Sequence, residues 1–154
     1  MAVAGLALSV LWTLVGIAVA VTLTLGEEVP TTFGGRVADA GSASVGSCLQ
    51  EPDEQDSLAT EIDCAEEHDA EVYLMTELGA GSWPGYEDVF DNADETCYDG
   101  FEGYAGRSYN FSDYDFGFYL PDHAEWEAGE HRVICVVVPL TEETSRGSAR
   151  GSGR

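Results

Sequence analysis

Residues 64–73, CAEEHDAEVY, put a cysteine, a histidine and four acids into ten positions of a 154-residue chain that holds four cysteines and three histidines in all. A thiolate and an imidazole four apart suggest zinc, a histidine next to an aspartate suggests acyl transfer, and clustered carboxylates suggest calcium. Zinc favours tetrahedral thiolate and imidazole ligands, and His131-x3-Cys135 mirrors Cys64-x3-His68. The second pair, however, lies in RVICVVV, a stretch of strand composition. Residues i and i+4 of a strand stand about 13 Å apart, too far to share one ion with bonds of about 2 Å. Zinc would also leave Cys48 and Cys97 without a role. For calcium, the acids of interest are Asp91, Asp94 and Glu95, and then Asp113 and Asp115. An EF-hand loop beginning at Asp91 would have Ala93 at its third position and Thr96 at its sixth, where an oxygen ligand and a glycine are needed. For hydrolysis, no Gly-x-Ser-x-Gly elbow accompanies His68 and Asp69, and sequence adjacency does not make a base and its orienting group. The remaining reading is structural: Cys64 pins the lead-in to a strand, and His68 and Asp69 make polar or turn contacts at its start.

The elements that must position these residues follow from periodicity. Residues 70–76, AEVYLMT, and 132–138, RVICVVV, are β-branched and aromatic enough to be strands. The second is apolar on both faces and is expected to be the central strand. In the first, Val72 and Leu74 are expected on one face, with Tyr73 and Met75 on the other. Residues 45–49 and 58–62 are weaker strand candidates flanking the acidic loop QEPDEQDS. Between the two clear strands, Tyr86, Val89, Phe90, Ala93 and Cys97 recur at helical spacing and predict a helix of about three turns, with Glu87 and Asp88 in its first turn. The segment 101–120 is dense in Tyr and Phe and is expected to form loops or irregular strands packed over the sheet. An exposed aromatic surface meeting a partner or a glycan is the sharper alternative. Asn110, Phe111 and Ser112 form a glycosylation sequon. The fold class is therefore α+β: a small, disulfide-crosslinked, mainly antiparallel sheet with one packed helix.

The first 26 residues carry no charge and are long enough to cross a membrane as a helix, with a cleaved signal peptide as the rival reading. Residues 1–26 are thus expected to be a transmembrane anchor, 27–44 a flexible stalk, 45–140 an extracytoplasmic domain and 141–154 a disordered tail. Cys48, Cys64, Cys97 and Cys135 all follow the apolar run, and an even cysteine count in a small exported domain indicates two disulfides. Cys48–Cys64 with Cys97–Cys135 is favoured, and the other two connectivities are compatible with the sequence. A formal charge of −23, with no lysine, disfavours nucleic acid and anionic lipid as ligands, because both are bound chiefly through Lys and Arg. It suits instead a salty medium, divalent ions or polycations.

A family pattern runs through these residues. V-G-x-C at Val45 to Cys48, C-x3-H-D-x-E-V at Cys64 to Val72, W-P-G at Trp83 to Gly85, then Cys97, Pro121, W-x2-G at Trp126 to Gly129 and V-x-C at Val133 to Cys135 together resemble the septum formation domain of actinobacterial membrane-anchored and exported proteins. The recurring family residues carried onto this chain are the four cysteines, His68, Asp69, Trp83, Pro84, Gly85, Trp126 and Gly129. Ser47 stands where the family usually has an acid, and Glu67 where it often has proline. The apolar run at residues 5–12 is also similar to the last helix of a small membrane module that precedes this domain in relatives. The resemblance implies a non-enzymatic, extracytoplasmic interaction or structural module linked to cell division or envelope growth. No cofactor is implied. The implied partners are the membrane, an envelope or division protein, or cell-wall glycan. His68, Asp69, Trp83, Trp126 and Gly129 are the candidate interaction residues. The alternatives are a carboxylate-rich divalent-cation-binding domain and a cell-envelope hydrolase.

Overall fold

The computed structural model describes residues 40–50, 59–141 and 144–154. The chain divides into two units, Met1–Thr31 and Thr32–Arg154, and every described residue belongs to the second. The expected anchor, residues 1–26, and the stalk up to residue 39 lie outside the described residues.

Among the described residues, seven strands and two α-helices follow in the order β1 (Cys48–Gln50), β2 (Thr60–Ile62), β3 (Glu67–His68), β4 (Ala70–Glu77), α1 (Tyr86–Ala105), β5 (Tyr114–Tyr119), α2 (His123–Glu127), β6 (Arg132–Pro139) and β7 (Ser145–Arg146). Five strands form an antiparallel sheet in the order β2-β1-β4-β6-β5, and β3 and β7 form a separate antiparallel pair. The strand with two apolar faces, β6, is an inner strand between β4 and β5, whereas the middle of the sheet belongs to β4. Val133, Cys135 and Val137 of β6 face α1, and Ile134 and Val136 face the opposite layer.

The expected alternation along β4 fails at one residue. Val72 pairs with Val136 and Leu74 with Cys135, so Tyr73 is an extra residue in a β-bulge. A bulge sets two residues of one strand against one of its partner and shifts the faces beyond it. Tyr73 and Leu74 therefore both point toward α1, while Val72 and Met75 belong to the opposite layer. The Tyr73 hydroxyl donates to the Cys97 carbonyl at 2.5 Å, so the bulge aims its phenol across the core at the helix. Burial pushes that phenol's pKa well up.

Helix α1 has 20 residues, longer than the three turns expected, because Phe101, Tyr104 and Ala105 continue the buried stripe begun by Val89, Ala93 and Cys97. At Gly100 a Cβ would lie 2.8 Å from Leu74 Cδ2, so the missing side chain lets helix and sheet approach. The Cys97–Cys135 disulfide ties the middle of this helix to β6, and Cys48–Cys64 ties β1 to the lead-in of β3. Chain-entropy arithmetic gives about 3 to 4 kcal/mol for each crosslink.

The segment 101–120 is not a set of packing loops. It completes α1, makes a short 3-10 turn at Tyr109–Phe111 and supplies the edge strand β5. Most of its aromatics are inside, and Phe111, at 72% exposure, is the exception. The outward amides of β5 are met locally, Tyr114 N–H by Ser112 Oγ and Phe116 N–H by Asp115 Oδ1, which blunts this edge against pairing with another strand.

Two expected boundaries are corrected. Ala40, assigned to the stalk, is buried in the layer that holds Leu49, Val72 and Ile134. Residues 144–154, expected to be disordered on their Gly, Ser and Arg content, are built into the fold through β7 and a buried Ala149. Composition misled here because the segment is held by main-chain hydrogen bonds, which need no apolar side chains.

Helix α1 ends at Gly106, which takes a left-handed conformation (φ 77°) and donates to the Glu102 carbonyl. The same glycine lies against the segment 144–154, since a Cβ there would stand 3.3 Å from Gly151 Cα. Gly106→Ala is expected to lower the unfolding free energy by about 1–2 kcal/mol from the left-handed backbone alone, and further through the contact with Gly151. Chemical denaturation with the disulfides intact reads this directly, and an unchanged midpoint would contradict it.

Candidate interaction sites at the two ends of β4

The residues singled out in the sequence fall into two groups. His68 and Asp69 lie just before β4, whereas Trp83, Trp126 and Gly129 gather around the chain that leaves it. An eight-residue strand separates them by roughly 25 Å.

At the first end the segment 144–154 is clasped to the domain. His68 is 1% exposed. Its Nδ1 lies 3.0 Å from the Glu66 carbonyl and its Nε2 3.0 Å from Ser145 Oγ, so the ring donates to the carbonyl and accepts from the hydroxyl. Asp69 donates its backbone N–H to the Leu49 carbonyl, which joins the start of β4 to β1. Two residues on, Glu71 is 2% exposed. Its Oε1 accepts from the Tyr104 hydroxyl and from Ser148 Oγ, both at 2.6 Å, and its Oε2 accepts from the Ala149 N–H at 2.6 Å. A buried carboxylate is costly unless its lone pairs are met, and here two of its three donors come from residues 148 and 149.

Sequence reading gave Glu71 no role beyond its place in the family pattern. The available signal was an acid inside an otherwise apolar strand, a position that requires polar partners, in a chain whose last eleven residues are almost all Gly, Ser and Arg.

His68 beside Ser145 has the first two links of an acyl-transfer set. The imidazole is nevertheless enclosed, with both nitrogens engaged within the fold, so it has no path to a leaving group. Its role is that of a buried cross-strand contact between β3 and β7. The zinc pairs are likewise separated, because Cys64 and Cys135 are in disulfides and His131 packs its ring on Trp126 at 4.3 Å. Among the described residues, one group of three potential metal ligands comes together, Cys48, Cys64 and Glu71. Its sulfurs are bonded to each other and its carboxylate is filled by hydrogen bonds.

At the second end, residues 78–85 (LGAGSWPG) run from β4 to α1 over the short helix α2. Asp122 and Glu125 form a reciprocal capping box at the start of α2, and Gly129 (φ 93°) turns the chain away after it. Trp126 donates its Nε1–H to the Gly81 carbonyl at 2.8 Å and so fixes the glycine-rich loop. Trp83 meets Trp126 edge to face at 5.5 Å and lies 5.4 Å from the His123 ring. Trp126, but not Trp83 or His123, lines an open cleft of about 300 Å³ beside this pair, walled by Gly79, Gly81 and Pro84, with Asp88 and Asn92 on its helical side. Backbone carbonyls, an indole wall and two polar side chains make a surface able to hold a ligand by packing and hydrogen bonding.

Comparison with known proteins identifies the family. The sequence profile of the septum formation family matches residues 19–135, which is most of the chain, and the chain belongs to that family. Membership agrees with a structural or interaction role rather than a catalytic one. Two curated relatives, in Mycobacterium tuberculosis and Mycobacterium bovis, are each named as a candidate lipoprotein, LppN. Each is 30% identical over 112 residues, covering 69% of this chain. The match spans 61% of the relatives' own length. No solved structure matches.

Two predictions come from the clasp. Glu71→Ala strands the Tyr104 and Ser148 hydroxyls and the Ala149 amide, and is expected to cost about 3 kcal/mol or more. Glu71→Gln, which keeps an accepting oxygen, is expected to cost less. Equal costs in denaturant titrations would show that the carboxylate's hydrogen bonds contribute nothing.

The second concerns alkaline pH. Burial, and then the hydrogen bond to Glu71, push the Tyr104 phenol up to about 12. Because the folded value exceeds the unfolded one of about 10, the associated stability is fully present below about pH 10 and is lost as pH rises through the folded value. Tyr104→Phe is expected to flatten that decline, read as unfolding free energy against pH. A decline as steep as wild type would place its cause elsewhere.

Proposed function

We propose that the chain is an extracytoplasmic interaction module, held at the membrane by residues 1–26, that serves cell division or envelope growth. The observation that carries this reading is the family match over residues 19–135. Two disulfides support placement outside the cytoplasm, since such bonds persist in oxidising compartments. The names of the LppN relatives, candidate lipoproteins, support attachment to a membrane. Among the described residues no helix is long and apolar enough to cross a membrane, so the proposed anchor rests on the charge-free N-terminal run.

We assign the contact face to the cleft beside the Trp83–Trp126 pair, where the family residues Pro84 and Trp126 line an open concavity and Trp83 packs against Trp126. An envelope or division protein, or a cell-wall glycan, is the partner that suits an indole-walled surface in a strongly acidic chain. Neither nucleic acid nor an anionic lipid surface fits a net charge of −23.

The test is expression of the full chain, tagged, in an actinobacterial host. The tag following the domain is expected to be digested by protease added to intact spheroplasts, and the protein to be enriched at division septa. Trp83→Ala is expected to reduce that enrichment while both disulfides still form. A protease-protected tag would overturn the topology, and uniform membrane distribution of the wild type would overturn the link to division.

A further inference from the structure

The clasped segment has the form of a bound peptide. Residues 144–154, TSRGSARGSGR, carry three of the chain's six arginines and none of its 29 acids. Alternate amides donate in succession to the domain: Gly147 to the Cys64 carbonyl, Ala149 to Glu71, Gly151 to the Tyr104 carbonyl and Gly153 to the Ala105 carbonyl.

The arginines, spaced by four, each meet a separate receptor group. Arg146 reaches the Glu67 carboxylate at 3.2 Å and also donates to the Ala65 carbonyl. Arg150 lies over the Tyr104 ring at 4.7 Å, and Arg154 over the Tyr114 ring at 5.5 Å, with Asp113 at 3.8 Å. The segment is extended at Ser145–Arg146, where it pairs with β3, and turns at residues 149–152. Main-chain bonds at alternate positions with side-chain contacts between them hold it as a bound peptide is held, and guanidinium over an aromatic face adds to the attraction. All of these receptor groups lie within the family-matched residues 19–135, whereas the segment lies beyond them.

We propose that this groove is a peptide-binding site, distinct from the Trp83–Trp126 cleft, which residues 144–154 occupy in cis. The occupant it takes in trans is a stretch of a partner polypeptide with the same chemistry, arginines four residues apart separated by glycine, alanine and serine, the glycines allowing the turns that residues 147–153 make. Three features set that specificity. The channel at Ala149 is closed to larger side chains, since this residue is 2% exposed. The close approach of Gly106 to Gly151 demands a small residue there. The carboxylates of Glu67 and Asp113 select arginine at the two ends. A tethered occupant acts at an effective concentration of about a millimolar, so a partner competes only when it binds more tightly or when the segment is drawn away.

The test uses the full chain and a fluorescent peptide of sequence TSRGSARGSGR. Ala149→Asp places a carboxylate beside Glu71 and so expels the segment while leaving every receptor group in place. The peptide is expected to bind this variant saturably and roughly tenfold or more tighter than wild type, and adding Glu71→Ala is expected to abolish the gain. Failure of an oxidised, folded Ala149→Asp chain to bind would overturn the proposal, and so would equal binding of a scrambled peptide of the same composition. Hydrogen exchange on the wild type gives an answer that does not depend on the variant folding. The amides of Gly147, Ala149, Gly151 and Gly153 are expected to exchange by local opening, well ahead of those in β4 and β6. Exchange of all of them in one unit with the sheet would show a permanent part of the core and sink the idea.

Discussion

A carboxylate taken out of water in a chain of net charge −23 has no surplus of cations to lean on, so Glu71 has to be solvated by donors that the fold brings to it. Those donors come from three places: the C-terminal turn of α1 through Tyr104, and then Ser148 and Ala149. The disulfide Cys48–Cys64 packs against the same carboxylate and walls it from solvent. One buried acid thus joins the last turn of α1, the start of β4 and the segment 144–154. An apolar side chain of the same volume would fill the space without giving Ser148 and the Ala149 amide anything to bond to. The acid therefore supplies positional specificity, which packing of Gly, Ser and Ala cannot.

The remaining acids show the opposite solution. Glu87, Asp88, Asp91, Asp94 and Glu95 are all exposed along the outer face of α1, where water and salt screen them. Glu130 is held below the usual carboxylate range by its hydrogen bond from Arg132. The acidic composition is thus a property of the surface, and Glu71 is the place where it enters the structure.

The sequence made visible whatever depends on side-chain periodicity. Val133 to Val138 announced an inner strand, and Val89, Ala93 and Cys97 announced the buried face of α1, because apolar residues at regular spacing leave few alternatives. What escaped notice was set by single residues acting against the pattern. The bulge at Tyr73 reversed the expected faces of β4 beyond Val72, and nothing in AEVYLMT distinguishes a bulged from a regular strand. The three turns expected from Tyr86 to Cys97 stopped short of Phe101 and Tyr104, and Gly100, just before Phe101, serves the close approach to Leu74. The clasp was hidden for a deeper reason. Its bonds run between backbone amides of a Gly/Ser-rich segment and residues some 40 to 80 positions away, and main-chain partners leave no trace in composition. At the candidate sites, Trp83, Trp126 and Gly129 were legible as a motif, while Glu71 was legible only as an anomaly.

The two ends of β4 differ in how they are built, and the difference bears on what each can do. The Trp83–Trp126 end is held by an indole-to-carbonyl hydrogen bond, aromatic edges and a capping box, all formed between residues 81 and 131. Its cleft is open because no other part of the described chain fills it. The Glu71 end is a groove already filled, by a segment whose own side chains are too small to contribute much apolar burial. A site assembled from local contacts persists whether or not a ligand is present. A site completed by a distant segment changes when that segment leaves, because Glu71, the Tyr104 hydroxyl and the two arginine-binding carboxylates then face water. Between them runs a rigid, doubly flanked strand pinned by Cys97–Cys135 through α1 and β6, so occupancy at one end has no evident means of deforming the other. The fold is therefore suited to holding two partners at once, one on a permanent aromatic surface and one on a surface that the chain itself covers.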